Sequence, residues 1–394
     1  MTKTLIPLFL GLAACPSPHV AEVTTEAGAP EAAPPSVTVA PRVAVGRDHS
    51  CILQSNGTVR CWGANTNGQI GDGTLENRAA PSLVRDLAPA SQLVAAGGRT
   101  CALLTTGLVR CWGENGHGEL GDVTTSKRIA PTPVGNLSGV TQIALGLYHT
   151  CAVLGDASVR CWGDNEVGQF GDGTRQGRPT PTLVPTLSHV KQMALGVSDS
   201  CALLDDGSVR CSGAGLGVKN GDAQKQRLTP TPAGVTGATQ IAMGDFHACA
   251  LVEGGKVQCW GANDQGQLGD GTTVTRANPA PVKDIAGAVE IALGGRHACA
   301  RFADGSVKCW GANDRGQLGD GTNQERRVPV KVDKLDGTAK QLALGAAHTC
   351  VLLDGDPRGE APGAVTVSCW GADKSGQLGD GETRDRATAA PVKL

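Results

Sequence analysis

The chain reads as an all-β protein, a seven-bladed β-propeller built from four-stranded antiparallel blades. Two observations predict it. Fourteen of the fifteen cysteines fall into seven pairs that recur about every fifty residues, and each interval holds four short strand-like runs. Composition agrees: 56 glycines and 22 prolines punctuate short apolar stretches, and helical periodicity is essentially absent.

The first element is not part of the repeat. Met1 to Ala14 carries Lys3 and the apolar run Leu5 to Leu12, closing as Leu12-Ala13-Ala14-Cys15. Small residues just before a cysteine are what lipoprotein signal peptidase accepts, so residues 1–14 are expected to be a signal peptide and Cys15 a diacylated anchor; an ordinary signal cleaved after Ala14 is the alternative. The apolar run is too short to span a membrane. Residues 15–41, with prolines at 16, 18, 30, 34, 35 and 41, read as an extended tether. The expected location is the bacterial cell envelope, on the periplasmic face or outer surface, or outside the cell. A formal net charge of -2 argues against a nucleic-acid partner.

Residues 42–394 carry the seven repeats. In residues 179–222, Thr182-Leu183-Val184, Gln192-Met193-Ala194-Leu195, Cys201-Ala202-Leu203-Leu204 and Ser208-Val209-Arg210-Cys211 read as the four strands of one blade. Asp205-Asp206-Gly207 fits a three-residue hairpin loop whose glycine supplies a left-handed residue. Such a hairpin sets Cys201 opposite Cys211. The predicted disulfides are therefore Cys51–Cys61, Cys101–Cys111, Cys151–Cys161, Cys201–Cys211, Cys249–Cys259, Cys299–Cys309 and Cys350–Cys369. Buried reduced thiols are the alternative; the spacings do not suit a metal.

The loop after the second cysteine reads, in one unit, Cys259-Trp260-Gly261-Ala262-Asn263-Asp264-Gln265-Gly266-Gln267-Leu268-Gly269-Asp270-Gly271-Thr272. Trp lies on the strand face opposite Cys, where a propeller packs blade against blade, so the tryptophans read as core rather than as a ligand platform. Asp72, Asp122, Asp172, Asp270, Asp320 and Asp380 each precede an arginine by six residues, and Asp222 precedes Arg227 by five. That recurrence points to a structural bidentate tie. A calcium loop is the weaker alternative, because no unit has the regular ladder of oxygen ligands.

The repeated string Cys-Ala-Leu, Asp-Gly-Ser-Val, Cys-Trp-Gly-Ala-Asn, Gly-Gln-Leu-Gly-Asp-Gly-Thr resembles the RCC1 repeat, the regulator of chromosome condensation type, over residues 42 to 394. The resemblance implies a seven-bladed propeller. The chain ends on Ala390-Pro391-Val392-Lys393-Leu394, which matches the run read as a first strand, while a second-strand match, Arg42-Val43-Ala44-Val45-Gly46, stands at the other end. Ring closure by a blade shared between both ends is therefore expected. The family's namesake is a guanine nucleotide exchange factor that also touches chromatin. Another relative is an exported bacterial propeller that inhibits β-lactamases. The only sizeable insertion here is Asp356 to Ala364.

Within the frame Gly-x-x-His-x-Cys, the free positions vary: Arg47-Asp48, Gly97-Gly98, Leu147-Tyr148, Val197-Ser198, Asp245-Phe246, Gly295-Arg296 and Ala346-Ala347. Arg47, Asp48, Arg99, Tyr148, Asp245, Phe246 and Arg296 form the candidate partner-binding face, with drift in exposed turns as the alternative. The next position reads His49, Arg99, His149, Asp199, His247, His297 and His348. Each histidine is expected to bond locally to backbone, since the ring is too wide for a metal. Blade four departs from the frame at Ser212 and at Gly215-Leu216-Gly217-Val218-Lys219-Asn220, by decay or as a contact site. No nucleophile–base arrangement, metal site or cofactor fingerprint is present in the sequence. The expected function is a lipid-anchored, monomeric, non-enzymatic scaffold that binds another envelope protein, as an inhibitor or assembly factor. The alternatives are an exchange-factor-like regulator and a glycan-binding or enzymatic propeller.

Overall fold

A computed structural model describes residues 1–2, 38–217, 226–355 and 365–394. The rest of the signal segment, Cys15, the tether through residue 37, Asp222 and the Asp356 to Ala364 insertion lie outside the described residues. The chain divides into two units, Met1–Ser36 and Val37–Leu394, and the second is the propeller.

Seven four-stranded antiparallel sheets make the blades, each in simple chain order. In blade one the inner strand is Arg42–Val45, then come His49–Leu53, Val59–Gly63 and an outer strand, Arg78–Leu83. The hairpins form as the loop sequence requires: Gly207 has φ 78°, and the Gly207 amide bonds back to Leu204 O at 3.0 Å. All seven disulfides link directly opposed residues with Cα–Cα distances of 4.0–4.1 Å.

Two expectations are corrected. The run Arg178–Leu183 does not open a blade but forms the outer strand of blade three, paired to Val159–Gly163. Its prolines, Pro179 and Pro181, give the reason: a residue without an amide proton suits a strand hydrogen-bonded along one side only. The ends of the chain accordingly share no blade. Arg386–Pro391 is the outer strand of blade seven, and Arg42–Val45 the inner strand of blade one.

The ring closes by a seam of the kind that joins most other blades. An inner-strand side chain clasps the next inner strand: Gln92 Oε1 accepts from the Ile143 amide at 2.9 Å, Gln142 Oε1 from Met193 at 2.9 Å. At the closure, Gln341 Oε1 accepts from Val43 N at 3.0 Å and Gln341 Nε2 donates to Val43 O at 3.0 Å. A loop carbonyl forms the second fastening. Gln69 O takes bonds from Trp112 Nε1 at 2.9 Å and Thr100 Oγ1 at 3.0 Å of blade two. Gln377 O takes the same pair, Trp62 and Ser50, across the closure.

The core lies in these seams: Trp62, Trp112, Trp162, Trp310 and Trp370 are fully buried, as the strand alternation predicts. Removing Trp310, which also donates to Gln267 O at 3.0 Å, opens a cavity the rigid sheets cannot close. Trp310→Ala is expected to cost about 3–5 kcal/mol, read as a lower urea midpoint. At the blade three–four seam Ser212 stands in for Trp and reaches Gln169 O at 3.3 Å. That loop alone carries Phe170, fully buried, where its described counterparts have leucine or isoleucine. The larger ring beside Gln169 makes up volume that the missing indole leaves.

Candidate functional site

The first turn of each blade lands at the axis. Its glycine is needed because the frame histidine lies against it: a Cβ on Gly46 would sit 2.1 Å from His49 Cε1. Neighbouring turns are then laced by backbone bonds, including Arg47 N to Gly97 O at 2.9 Å, Leu147 N to Gly196 O at 2.9 Å and Ala346 N to Arg47 O at 3.1 Å. The result is a rigid rim around a cavity of about 150 Å³ on the axis, lined by turns and inner strands from all seven blades.

Most of the predicted face is brought together here, and one member is not. Arg47 and Arg296 are exposed, Phe246 is 42 % exposed, and Tyr148, Asp48 and Asp245 are partly buried. Arg99 is fully buried and belongs to the rim's framework, not to a partner face. Its guanidinium donates to Leu147 O at 2.7 Å, Gly146 O at 2.8 Å and His149 O at 2.7 Å. A long cation at the histidine position thus knits blade two to blade three through carbonyls, a role its residue type does not announce.

A groove of about 410 Å³ leads off the rim past Arg47, Asp48, Asn67, Glu114, Leu147 and Tyr148. Tyr148 packs on His117 with ring centroids 5.2 Å apart, and Arg296 Nη1 lies 3.6 Å from Asp264 Oδ2. Nothing in the repeat frame singles out Asn67, Glu114, His117 or Asp264. Strand alternation holds the signal: in an antiparallel blade the first turn and the loop after the third strand emerge at the same end. The variable turns and the glycine-rich loops are therefore one surface.

Burial raises the carboxyls of Asp48 and Asp245; the Arg47 guanidinium works against this at both, and Arg296 at Asp245. The frame histidines do not bond local backbone as expected. In four of the five, Nε2 reaches a hydroxyl of the next blade: His49 to Thr100 at 2.9 Å, His149 to Ser200 at 2.8 Å, His297 to Thr349 at 2.9 Å and His348 to Ser50 at 3.0 Å, while both ring nitrogens of His247 are without a partner among the described residues. Each hydroxyl gives its own proton to a loop carbonyl, so Nε2 carries the imidazole proton and Nδ1 is bare. All five rings are fully buried, so none is presented to a substrate.

The Asp–Arg ties exist, but they are not bidentate. Arg78 Nε meets Asp72 Oδ2 at 2.7 Å and Arg128 Nε meets Asp122 Oδ2 at 2.6 Å. The other oxygen is committed to threonine: Thr74 donates to Asp72 Oδ1 through its amide at 3.0 Å and its hydroxyl at 2.7 Å. With both oxygens occupied, the carboxylate serves the loop fold. Among the described residues, no group of three His, Cys, Asp or Glu is placed to hold a metal ion.

Models of the regulator of chromosome condensation (RCC1) repeat match residues 56–104, 106–153, 156–203, 254–301 and 304–352, and a second such model matches five segments from 42–69 to 288–317. No curated protein matches the chain. Among solved structures it is similar to Prp20p from Saccharomyces cerevisiae at 24 % identity and TM-score 0.73, covering 88 % of this chain and 86 % of that one. It is similar to yeast RCC1 (Prp20) in a structure with Kap60, at 22 % identity and TM-score 0.74, covering 91 % and 85 %. Human WBSCR16 matches at 23 % identity and TM-score 0.70, covering 79 % and 87 %. At these identities the likeness is one of fold.

Proposed function

This chain belongs to the RCC1-repeat family, and from that premise we propose that it is a non-enzymatic, protein-binding propeller that works outside the cytoplasm on a lipid anchor at Cys15. The observation that carries the binding role is the rim. A rigid frame, laced around the axis by backbone bonds, displays side chains that the frame itself does not need. Phe246, Tyr148, Arg47 and Arg296 are of the residue types that anchor protein interfaces. The partner is a single protein of the envelope, and the propeller acts as a monomer. Seven disulfides support an oxidising compartment. No helix among the described residues is long and apolar enough to cross a membrane.

The test begins with partners captured by crosslinking under non-reducing conditions. Tyr148→Ala and Phe246→Ala are each expected to weaken a confirmed complex by about 1–3 kcal/mol while leaving the melting midpoint nearly unchanged. Unaltered affinity in both would move the binding surface off this face. The anchor has its own test. Labelled fatty acid should enter the wild type, and Cys15→Ser should abolish labelling and release the protein from membranes. Membrane-bound but unlabelled wild type would rule out lipidation. The structural neighbour Prp20p has binding properties toward Gsp1p and histones, so a nucleotide-release assay with a small GTPase checks the exchange-factor alternative, where no acceleration is expected.

A further inference from the structure

Five of the glycine-rich loops are pinned by a buried side-chain amide at one frame position. Asn65, Asn115, Asn165, Asn263 and Asn313 accept through Oδ1 from the amide five residues on, at 2.9–3.0 Å. Through Nδ2 they donate to the loop aspartate seven residues on, at 3.1–3.3 Å. Blade seven puts Asp373 at this position. Its Oδ1 keeps the first bond, from Leu378 N at 2.9 Å. Its Oδ2, fully buried and with no hydrogen-bond partner among the described residues, takes the frame position of the asparagine Nδ2 that donates to the loop aspartate in the other blades.

An acceptor oxygen at a position that carries a donor in five other loops, under the influence of the Asp380 carboxylate, leaves a donor missing. We propose that a proton on Asp373 Oδ2, shared with Asp380 Oδ1, takes the place of the asparagine amide, and that losing it loosens the seam closing blade seven onto blade one.

The groups around the pair support this reading. Burial first, and the Asp380 carboxylate second, push the Asp373 carboxyl up to about 7; the amides of Leu378 and Arg384 and the Arg386 guanidinium act the other way. Arg386 is already spent, with Nε on Asp380 Oδ2 at 2.6 Å and Nη2 on Glu382 Oε2 at 3.1 Å. Asp385 accepts from the Asp373 amide at 2.9 Å and is held by Arg315 of blade six at 3.2 Å. From blade one, the groups bonded to this loop are uncharged: Trp62 Nε1 and Ser50 Oγ on Gln377 O, and Ala79 O on the Gly381 amide. Lys393 flanks Gly381 on the solvent side. Arg386, the cation that acts on Asp373, is therefore not free to replace the proton, and the loop that depends on it carries one of the two fastenings that close the ring.

The sign follows from linkage. A folded carboxyl held above its unfolded value of 3.8 stabilises fully at low pH, and the benefit declines as pH rises toward about 7. The experiment is hydrogen exchange, followed by mass spectrometry, of the segment 373–381 against its blade-six counterpart 313–321, in the full chain at pH 6 and pH 8 and corrected for intrinsic rates. Wild type should lose protection in blade seven alone, by about tenfold between the two pH values, and Asp373→Asn should abolish the difference. Asn313→Asp should transplant the pH dependence to blade six. Equal protection of wild type and Asp373→Asn at both pH values would overturn the proposal. So would recovery of wild-type protection at pH 8 on adding calcium, which would mean a cation bridges the two carboxylates.

Discussion

Reducing the seven disulfides lowers the melting midpoint of the propeller by about 25 °C at neutral pH. Each bridge spans a hairpin of its own blade, six closing a separation of ten residues and one a separation of nineteen. In the chain-entropy account a ten-residue loop is worth about 2.7 kcal/mol and a nineteen-residue loop about 3.2 kcal/mol, which together approach about 19 kcal/mol. A body of this size changes stability by about 0.75 kcal/mol per degree near its midpoint. The bridges sit in the packed seams and are fully buried, so reductant acts through unfolding and native protein should resist it. Calorimetry of protein reduced in denaturant and refolded, with thiols alkylated only after the scan, gives the comparison. A midpoint within a few degrees of the oxidised protein would show that the seams alone hold the ring. Because no bridge crosses a seam, a single Cys51→Ala, Cys61→Ala pair should cost only about 2.7 kcal/mol.

The features legible in the sequence and those hidden from it divide along a physical line. Blade number, hairpin register and cysteine pairing follow from short-range rules: a turn type, a period of two, a repeat length. All of these are local, and all are present in the structure. Assigning the first and last strands fails because strand order along the chain has no phase of its own. Thr182-Leu183-Val184 can pair equally well with the strand before it or the strand after it. The prolines at 179 and 181 carry the missing information, since they mark an edge. Arg99 falls outside the binding face although arginine in a turn frame reads as exposed; its three carbonyl partners come from blade three, about fifty residues on. The bidentate tie fails for a similar reason, because Thr74 and Asn65 compete for the same carboxylate as Arg78. Four of the histidines likewise find their partners across a seam rather than along the strand. The face itself is half legible. Variation within the turns locates Tyr148 and Phe246, while the loop residues beside them emerge only once antiparallel pairing is traced through three strands.

Those histidines set the second large effect, a loss of stability in mild acid. His49, His149, His247, His297 and His348 are fully buried, and desolvation depresses each to about 3 from an ordinary 6.5. Four of them hold a neutral ring by geometry: Nε2 is committed to a hydroxyl of the next blade, and the bare Nδ1 has no partner to share a proton. Below pH 6.5 the unfolded chain takes up protons that the folded rings refuse. Their contribution is therefore full above pH 6.5 and shrinks steadily as pH falls toward 3. At pH 5 each ring accounts for about 2 kcal/mol and the five for about 10 kcal/mol. Buried carboxyls pull the other way. Asp199, pushed up to about 6, and Asp373, pushed up to about 7, keep protons that the unfolded chain releases, and Asp48 and Asp245 are raised as well. Asp199 and Asp373 alone recover about 4 kcal/mol on the same descent, leaving a net loss of roughly 6 kcal/mol, or about 8 °C, between pH 7 and pH 5. Asp72, Asp122, Asp172, Asp270 and Asp320 lie below the ordinary carboxylate range, hydrogen bonds from threonine and arginine outweighing burial, so they contribute only in stronger acid. The melting midpoint measured across pH 5 to 7 checks the balance. His297→Gln, which keeps a donor toward Thr349, should flatten the net slope by about one third. A midpoint that stays level, or rises, as pH falls from 7 to 5 would mean that the buried rings accept protons after all.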